Sequence, residues 1–291
     1  MKKKQLCLLI SAAVFLAGLS GCVNIENRTL TDTTTPAPTA ADDKPVTVSV
    51  ETTTAPEKPK SDSGTSEETT KPPEDELIEE YNTFTLTDDD NDLLSRCVFV
   101  GDSICSGLKV YDILPAENVV AQGNIAARNI FDFTFIVDGG EQSLLSALVA
   151  LKPEYIVFSM GMNDVNITSQ DEFVQNYTDL LTMTESFLPD AKLIVLSITP
   201  IDRSSSFTAN ENIDSFNERL SQALAENEKW LYVDVTAELK NSANALKTNY
   251  SSGDGIHLAP DAYYAILSQL CGAIREWENP DGEEENDFTV E

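Results

Sequence analysis

Residues 98–107 read VFVGDSICSG, an apolar run that ends in Gly101 and is followed at once by Asp102 and Ser103. Hydrophobicity that is continuous rather than alternating is what a strand covered on both faces requires. The Gly-Asp-Ser after it is ordinary turn chemistry. Ser103 therefore has two readings: it closes a turn, or it is a nucleophile presented at the end of a buried strand. The second holds only if the rest of the chain supplies a base, a partner to orient the base and donors for an oxyanion.

Five apolar runs of strand length recur along the chain: CVFVG (97–101), VVAQ (119–122), YIVFSMG (155–161), KLIVLSITP (192–200) and WLYVDV (230–235). Helical spacing separates them. Phe173, Tyr177, Leu180, Leu181 and Phe187 share one stripe, Ile213, Phe216, Leu220 and Leu224 another, and a further helix is expected over about 141–151. Tyr263, Leu267, Leu270, Ile274 and Trp277 form the last stripe, with Pro260 suited to the first turn and Asp261 near the positive helix end. Alternating strands and helices predict parallel strands with right-handed crossovers, hence a three-layer α/β/α sandwich with a mainly parallel five-stranded sheet. Residues 93–280 are enough for one such domain. Sites in these folds lie at the carboxyl ends of the strands. Those ends are Asp102-Ser103, Gly123-Asn124, Asn163-Asp164 and the loop after Pro200. A dinucleotide site is a weak competitor, because GDSICSG lacks the G-x-G-x-x-G spacing and no P-loop lysine follows.

His257 is the sole histidine, three residues after Asp254 in SSGDGIHLAP. A lone histidine is by default a surface or satisfied core residue. An Asp-x-x-His turn can instead return the carboxylate to Nδ1, which fixes the tautomer and frees Nε2 to accept a proton. Three oxyanion donors are available near strand ends: the Ser103 N–H, the Gly123 N–H and the Asn163 amide. Loss of one such donor costs about 3 kcal/mol of transition-state stabilisation. The alternatives are a positive-φ turn at Gly123 and a helix cap at Asn163-Asp164.

The chain opens MKKKQLCLLISAAVFLAGLSGC, a charged n-region and an apolar run too short to span a bilayer comfortably. Residues 1–21 read as an export signal. Leu19-Ser20-Gly21-Cys22 resembles the lipobox of bacterial lipoproteins, which implies a lipidated Cys22 as the mature N-terminus and membrane attachment through its acyl chains. Residues 22–92 are expected to form an acidic Thr/Pro-rich tether with too few large apolar side chains to order itself, and 281–291 an acidic tail. VTVSV (46–50) is the one β-prone patch in the tether. Removing the signal lysines takes the formal net charge from -30 to -33. That excess argues against nucleic acid and against electrostatic docking on anionic lipid. Asp88-x-Asp90-x-Asp92 begins like a calcium loop, but Leu93 stands where the sharp-turn glycine belongs, so a solvated turn and helix cap is expected. Cys97, Cys105 and Cys271 have apolar or small flanks and read as buried thiols, with a Cys97–Cys105 bridge the open alternative. One histidine leaves no Cys/His metal cluster.

GDSI (101–104), Gly123 in AQGN, GMND (161–164) and DGIH (254–257) together resemble, in order, the four blocks of the SGNH or GDSL-like hydrolases, a family of esterases and lipases. The resemblance implies the flavodoxin-like SGNH hydrolase fold and a carboxylic ester hydrolase that needs no cofactor. Ser103 would be nucleophile, His257 base, Asp254 its orienter, and Gly123 and Asn163 oxyanion donors. Two departures touch no catalytic atom: Ile104 replaces a leucine, and Ala259 stands where relatives often have a Thr or Ser cap. Ser106 and Asp164 are decoys, a serine one turn beyond the nucleophile and a second carboxylate. The expected enzyme is a monomeric head at the extracellular face of a bacterial cytoplasmic membrane, of Gram-positive type. It would remove acetyl or other short acyl groups from carbohydrate or cell-wall polymers, with a small molecule or a polysaccharide ester as substrate. A lipase or lysophospholipase is the alternative, and a non-catalytic glycan-binding module a lesser one. Arg203, in the loop 200–212 expected to border the pocket, is either a substrate contact or a solvated arginine.

Overall fold

The computed structural model describes residues 82–280. The signal, Cys22, VTVSV and the acidic tail lie outside the described residues.

The chain forms α1 (Asp88–Ser95), β1 (Cys97–Gly101), α2 (Ser103–Val110), β2 (Val119–Ala121), β3 (Thr134–Val137), β4 (Gly140–Ser143), α3 (Leu144–Leu151), β5 (Tyr155–Ser159), α4 (Gln170–Phe187), β6 (Lys192–Leu196), α5 (Asn210–Leu224), β7 (Trp230–Val233), α6 (Thr236–Leu239) and α7 (Pro260–Glu278). Five of the strands make one sheet in the order β2-β1-β5-β6-β7, every neighbour parallel. The expected three-layer sandwich is observed. α1 and α2 pack against α7 in one outer layer, and α3 and α5 against α4 in the other. Phe99, Ile156, Val157, Phe158, Ile194 and Val195 are fully buried between them, which is why these strands read as unbroken apolar runs.

The chain leaves β1 toward one edge of the sheet, at β2, and later returns on its other side, at β5, so the strand order reverses beside β1. Such a switch point opens a crevice beyond the carboxyl ends of the two strands. The register is tight there. A Cβ on Gly101 would lie 2.0 Å from the Ser159 carbonyl oxygen, so only glycine lets β1 and β5 approach at the strand ends.

Three features depart from the expectation. Residues 141–143 are not helical: β3 and β4 form an antiparallel hairpin, and α3 begins at Leu144 behind a Ser143 cap. The turn is Asp138-Gly139, both at positive φ (52° and 77°), the two-residue hairpin chemistry that Asp-Gly favours. Leu93, the expected domain start, falls inside α1. That helix is held by a capping box between Thr87 and Asp90 and by Arg275 of α7, whose guanidinium lies 2.6 Å from Asp90 Oδ1. Asp90 is thus buried and paired rather than solvated. The strands also stop short of the sequence runs, β5 at Ser159 and β6 at Leu196, because the chain turns away there to build the site.

Cys97, Cys105 and Cys271 are free and buried, which settles the open question of a bridge. Burial pushes the thiols of Cys97 and Cys271 up to about 12. Among the described residues no helix is long and apolar enough to cross a membrane.

Candidate active site

Asp102 caps α2, its carboxylate accepting from the Ile104 N–H at 2.9 Å, so Ser103 is the first residue of the helix and its own N–H has no intrahelical partner. The hydroxyl of Ser103 meets His257 Nε2 at 2.9 Å, and Nδ1 of that ring lies 2.6 Å from Asp254 Oδ2. The carboxylate partner places the proton on Nδ1, leaving Nε2 as acceptor. Asp254 holds the loop as well as the ring. Its Oδ1 accepts from the backbone N–H groups of Ile256 and His257, at 2.9 and 2.8 Å. Burial works to raise the Asp254 carboxyl, but those two amides and the imidazole outweigh it and hold the group well below the usual carboxylate range.

The histidine loop is delivered by α7. Gly107 allows Tyr263 to lie against α2, and the Tyr263 hydroxyl donates to the Ile104 carbonyl at 2.8 Å. Ala259 makes no side-chain cap, and Pro260 occupies the first turn as expected. Positive φ at Gly255 (89°) turns the chain where a Cβ would meet Ser205 at 3.3 Å.

Gly123 and Asn163 follow the strands on either side of β1, two residues after Ala121 and four after Ser159. Gly123 does not serve a positive-φ turn: that conformation belongs to Asn124 (φ 65°), and a Cβ on Gly123 would meet no protein atom. Asn163 Nδ2 donates one proton to the Ile125 carbonyl at 2.8 Å, which fixes the rotamer and leaves its second N–H uncommitted by that bond. The set can carry out acyl transfer: an activated hydroxyl, a base with a fixed tautomer and amide donors at adjacent strand ends.

Residues 99–265 match the model of the GDSL-like lipase/acylhydrolase family. The chain belongs to this family. It is a carboxylic ester hydrolase of the SGNH/GDSL-like type. A search of curated proteins found no match. Among solved structures, a Bacteroides fragilis protein described as an acylhydrolase aligns with a TM-score of 0.50 at 20% identity, over 62% of this chain and 86% of that one. A GDSL-like lipase from Bacteroides thetaiotaomicron aligns with a TM-score of 0.49 at 18% identity, over 64% of this chain and 90% of that one. Identities this low bear on the fold alone.

Within this GDSL-like framework the decoys are occupied elsewhere. Ser106 Oγ donates back to the Asp102 carbonyl at 3.1 Å. Asp164 is fully buried, accepting from the Ala127 N–H at 2.9 Å and pairing with Arg128, 2.9 Å away. The loop after Pro200 borders the site as expected: the Asp202 N–H donates to the Gly255 carbonyl at 3.1 Å, and Asp202 Oδ2 accepts from Ser251 at 2.8 Å. Arg203 and Ser204 line open cavities beside it. Sequence reasoning missed Arg128 and Tyr263, which lie outside the family's short blocks. Tyr263 was visible only as a member of an apolar stripe.

Proposed function

We propose that this esterase uses Ser103 as nucleophile, His257 as general base, Asp254 to orient the imidazole, and the N–H groups of Ser103, Gly123 and Asn163 to hold the oxyanion. The observation that carries the reading is the unbroken contact from Ser103 Oγ through the His257 ring to Asp254, at 2.9 and 2.6 Å. His257 takes the Ser103 proton as Oγ bonds to the ester carbonyl carbon. The carbonyl electrons move onto oxygen, facing the three donors. Collapse of that intermediate expels the alcohol, which receives the proton from His257. A water then repeats the sequence to release the acid. The sequence needs no metal or organic cofactor.

The substrates are acetyl or other short acyl esters on carbohydrate or cell-wall polymers. Beside Asp254 lies an open cavity of about 420 Å³ lined by Ser204, Ser205, Ser206, Gly253 and Phe207. Hydroxyl groups beside a partly exposed aromatic ring suit a sugar. The lipobox at Cys22 and the tether beyond it support a lipid-anchored enzyme at the outer face of the cytoplasmic membrane, its head reaching toward the wall. One observation favours the second, lipase-type reading. A groove of about 580 Å³ lies along β2, lined by Val110, Phe135, Ile136 and Val137 together with Lys109 and Glu117. It has room for a longer acyl chain.

The test is hydrolysis by residues 82–280 of p-nitrophenyl esters of graded chain length, then of acetylated glycans, peptidoglycan and phospholipid. Acetyl preference with glycan deacetylation is expected. A rate that climbs with chain length would favour the lipase. Full activity in Ser103→Ala would overturn the mechanism.

A further inference from the structure

Gly123 and Asn163 reach the site from strands that are not neighbours: β2 and β5 flank β1. Two oxyanion donors on separate loops act together only if their spacing is fixed to a fraction of an ångström. Three contacts bind the loop after β2 to the turn after β5. Asn163 Nδ2 donates to Ile125 O at 2.8 Å, and the Ala127 N–H to Asp164 Oδ2 at 2.9 Å. The third is Arg128. Its Nη1 donates both to the Asn163 carbonyl oxygen, at 2.5 Å, and to Asp164 Oδ1, at 2.9 Å.

We propose that Arg128 is a positioning residue for ester hydrolysis, a clasp that sets the Asn163 amide against the Gly123 N–H by gripping the Asn163 carbonyl and Asp164 at once. The inference rests on the oxyanion roles assigned to Gly123 and Asn163. A guanidinium suits this role because it is always charged and its planar Nη1 carries two N–H groups held in fixed directions, one for each acceptor. Asp164 is fully buried, so its carboxylate needs that charge, and burial works to raise its carboxyl against the Ala127 amide and Arg128. The main-chain bond is the informative one. A residue that merely neutralised Asp164 would have no need to hold the carbonyl of the residue whose side chain faces the reaction.

Arg128→Met alone leaves a buried, unpaired carboxylate and can fail to fold. The double variant R128M/D164N removes that charge, and the side-chain amide oxygen it places there can still accept from the Ala127 N–H. It separates the two roles. We expect its thermal midpoint to return to within a few degrees of the parent while kcat stays at least about 30-fold lower, with KM changed less than about threefold, as for an interaction strengthened in the transition state. R128K, which keeps the charge but on a shorter stem and without the planar N–H directions, is expected to fold and to recover part of that kcat. Parental kcat in the folded double variant, or a loss confined to KM in either variant, overturns the inference. If the parent shows no esterase activity, or Ser103→Ala retains it, the assigned mechanism fails instead.

Discussion

The hydroxyl of Tyr263 on α7 donates to the carbonyl of Ile104 in the first turn of α2, at 2.8 Å. That bond ties the helix that follows His257 to the helix that begins with Ser103. His257 and Ser103 are 154 positions apart in sequence, so their meeting depends on how α2 and α7 are seated on each other.

Gly107 is where that seating can be tested. A Cβ there would lie 1.8 Å from the Tyr263 hydroxyl and 2.4 Å from the ring carbon that bears it, and Tyr263 is buried. Alanine gains about 1 kcal/mol in a helix interior, but overpacking costs about 1–3 kcal/mol or more. Gly107→Ala is therefore expected to lower stability by about 1–2 kcal/mol and to reduce kcat as His257 shifts from Ser103. Chemical denaturation and steady-state kinetics check both. Tyr263→Phe, which loses only the hydrogen bond, should cost about 1 kcal/mol.

Asp254→Asn separates the loop from the chemistry. The asparagine oxygen can still accept from the Ile256 and His257 amides, so the turn persists, but its NH2 faces Nδ1 and favours the wrong tautomer. Activity should fall by roughly 10³–10⁴-fold with the circular dichroism spectrum unchanged. A loss of under tenfold would show that Asp254 is not the orienting carboxylate.

Asp90 predicts acid sensitivity at the start of the domain. Burial would raise its carboxyl, yet the Thr87 amide and hydroxyl and Arg275 prevail and lower it from 3.8 to about 2. A carboxyl depressed this far contributes about 2 kcal/mol. That contribution is complete above the unfolded value near 3.8 and is lost as the pH falls through about 2. Asp90→Asn should be less stable at pH 7 by about this amount and should show a flatter stability profile between pH 4 and 2. Denaturant titrations across that range decide it.

Asp102 predicts the opposite slope. Burial pushes its carboxyl up to about 6, against the N–H groups of Ile104, Cys105 and Gly161. A group raised from 3.8 to about 6 costs the fold about 3 kcal/mol once ionised. The cost grows as the pH rises through that interval and is complete above it. Asp102→Asn, which can still cap α2 through its amide oxygen, should be more stable than the parent at pH 8 and lose the advantage near pH 4. Equal thermal midpoints at pH 8 would count against this account.

The strands of the main sheet were legible in the sequence because a strand buried on both faces must be apolar throughout, and all five runs, 97–101 among them, fall on its strands. α7 was legible from its stripe and from Pro260. The β3–β4 hairpin carried a readable signal in Asp138-Gly139, but its four-residue strands are too short for alternation to stand out. α1 was obscured because Asp88, Asp89, Asp90 and Asp92 look like solvated charge. Only Arg275, 185 residues away, shows why one of them is buried.

Four short blocks by themselves pointed to the family, which the family model bears out, and to the side chains proposed for the chemistry, because candidate nucleophiles, bases and amide donors are few and their local turns are encoded nearby. How those side chains meet was decided in three dimensions. The strand order reverses beside β1, Gly101 lets β1 and β5 close, Gly107 lets α7 rest on α2, and Arg128 joins two loops that the sequence keeps 35 residues apart. Such contacts leave little local trace, since they are fixed by packing between distant segments and not by the propensities of the segments themselves.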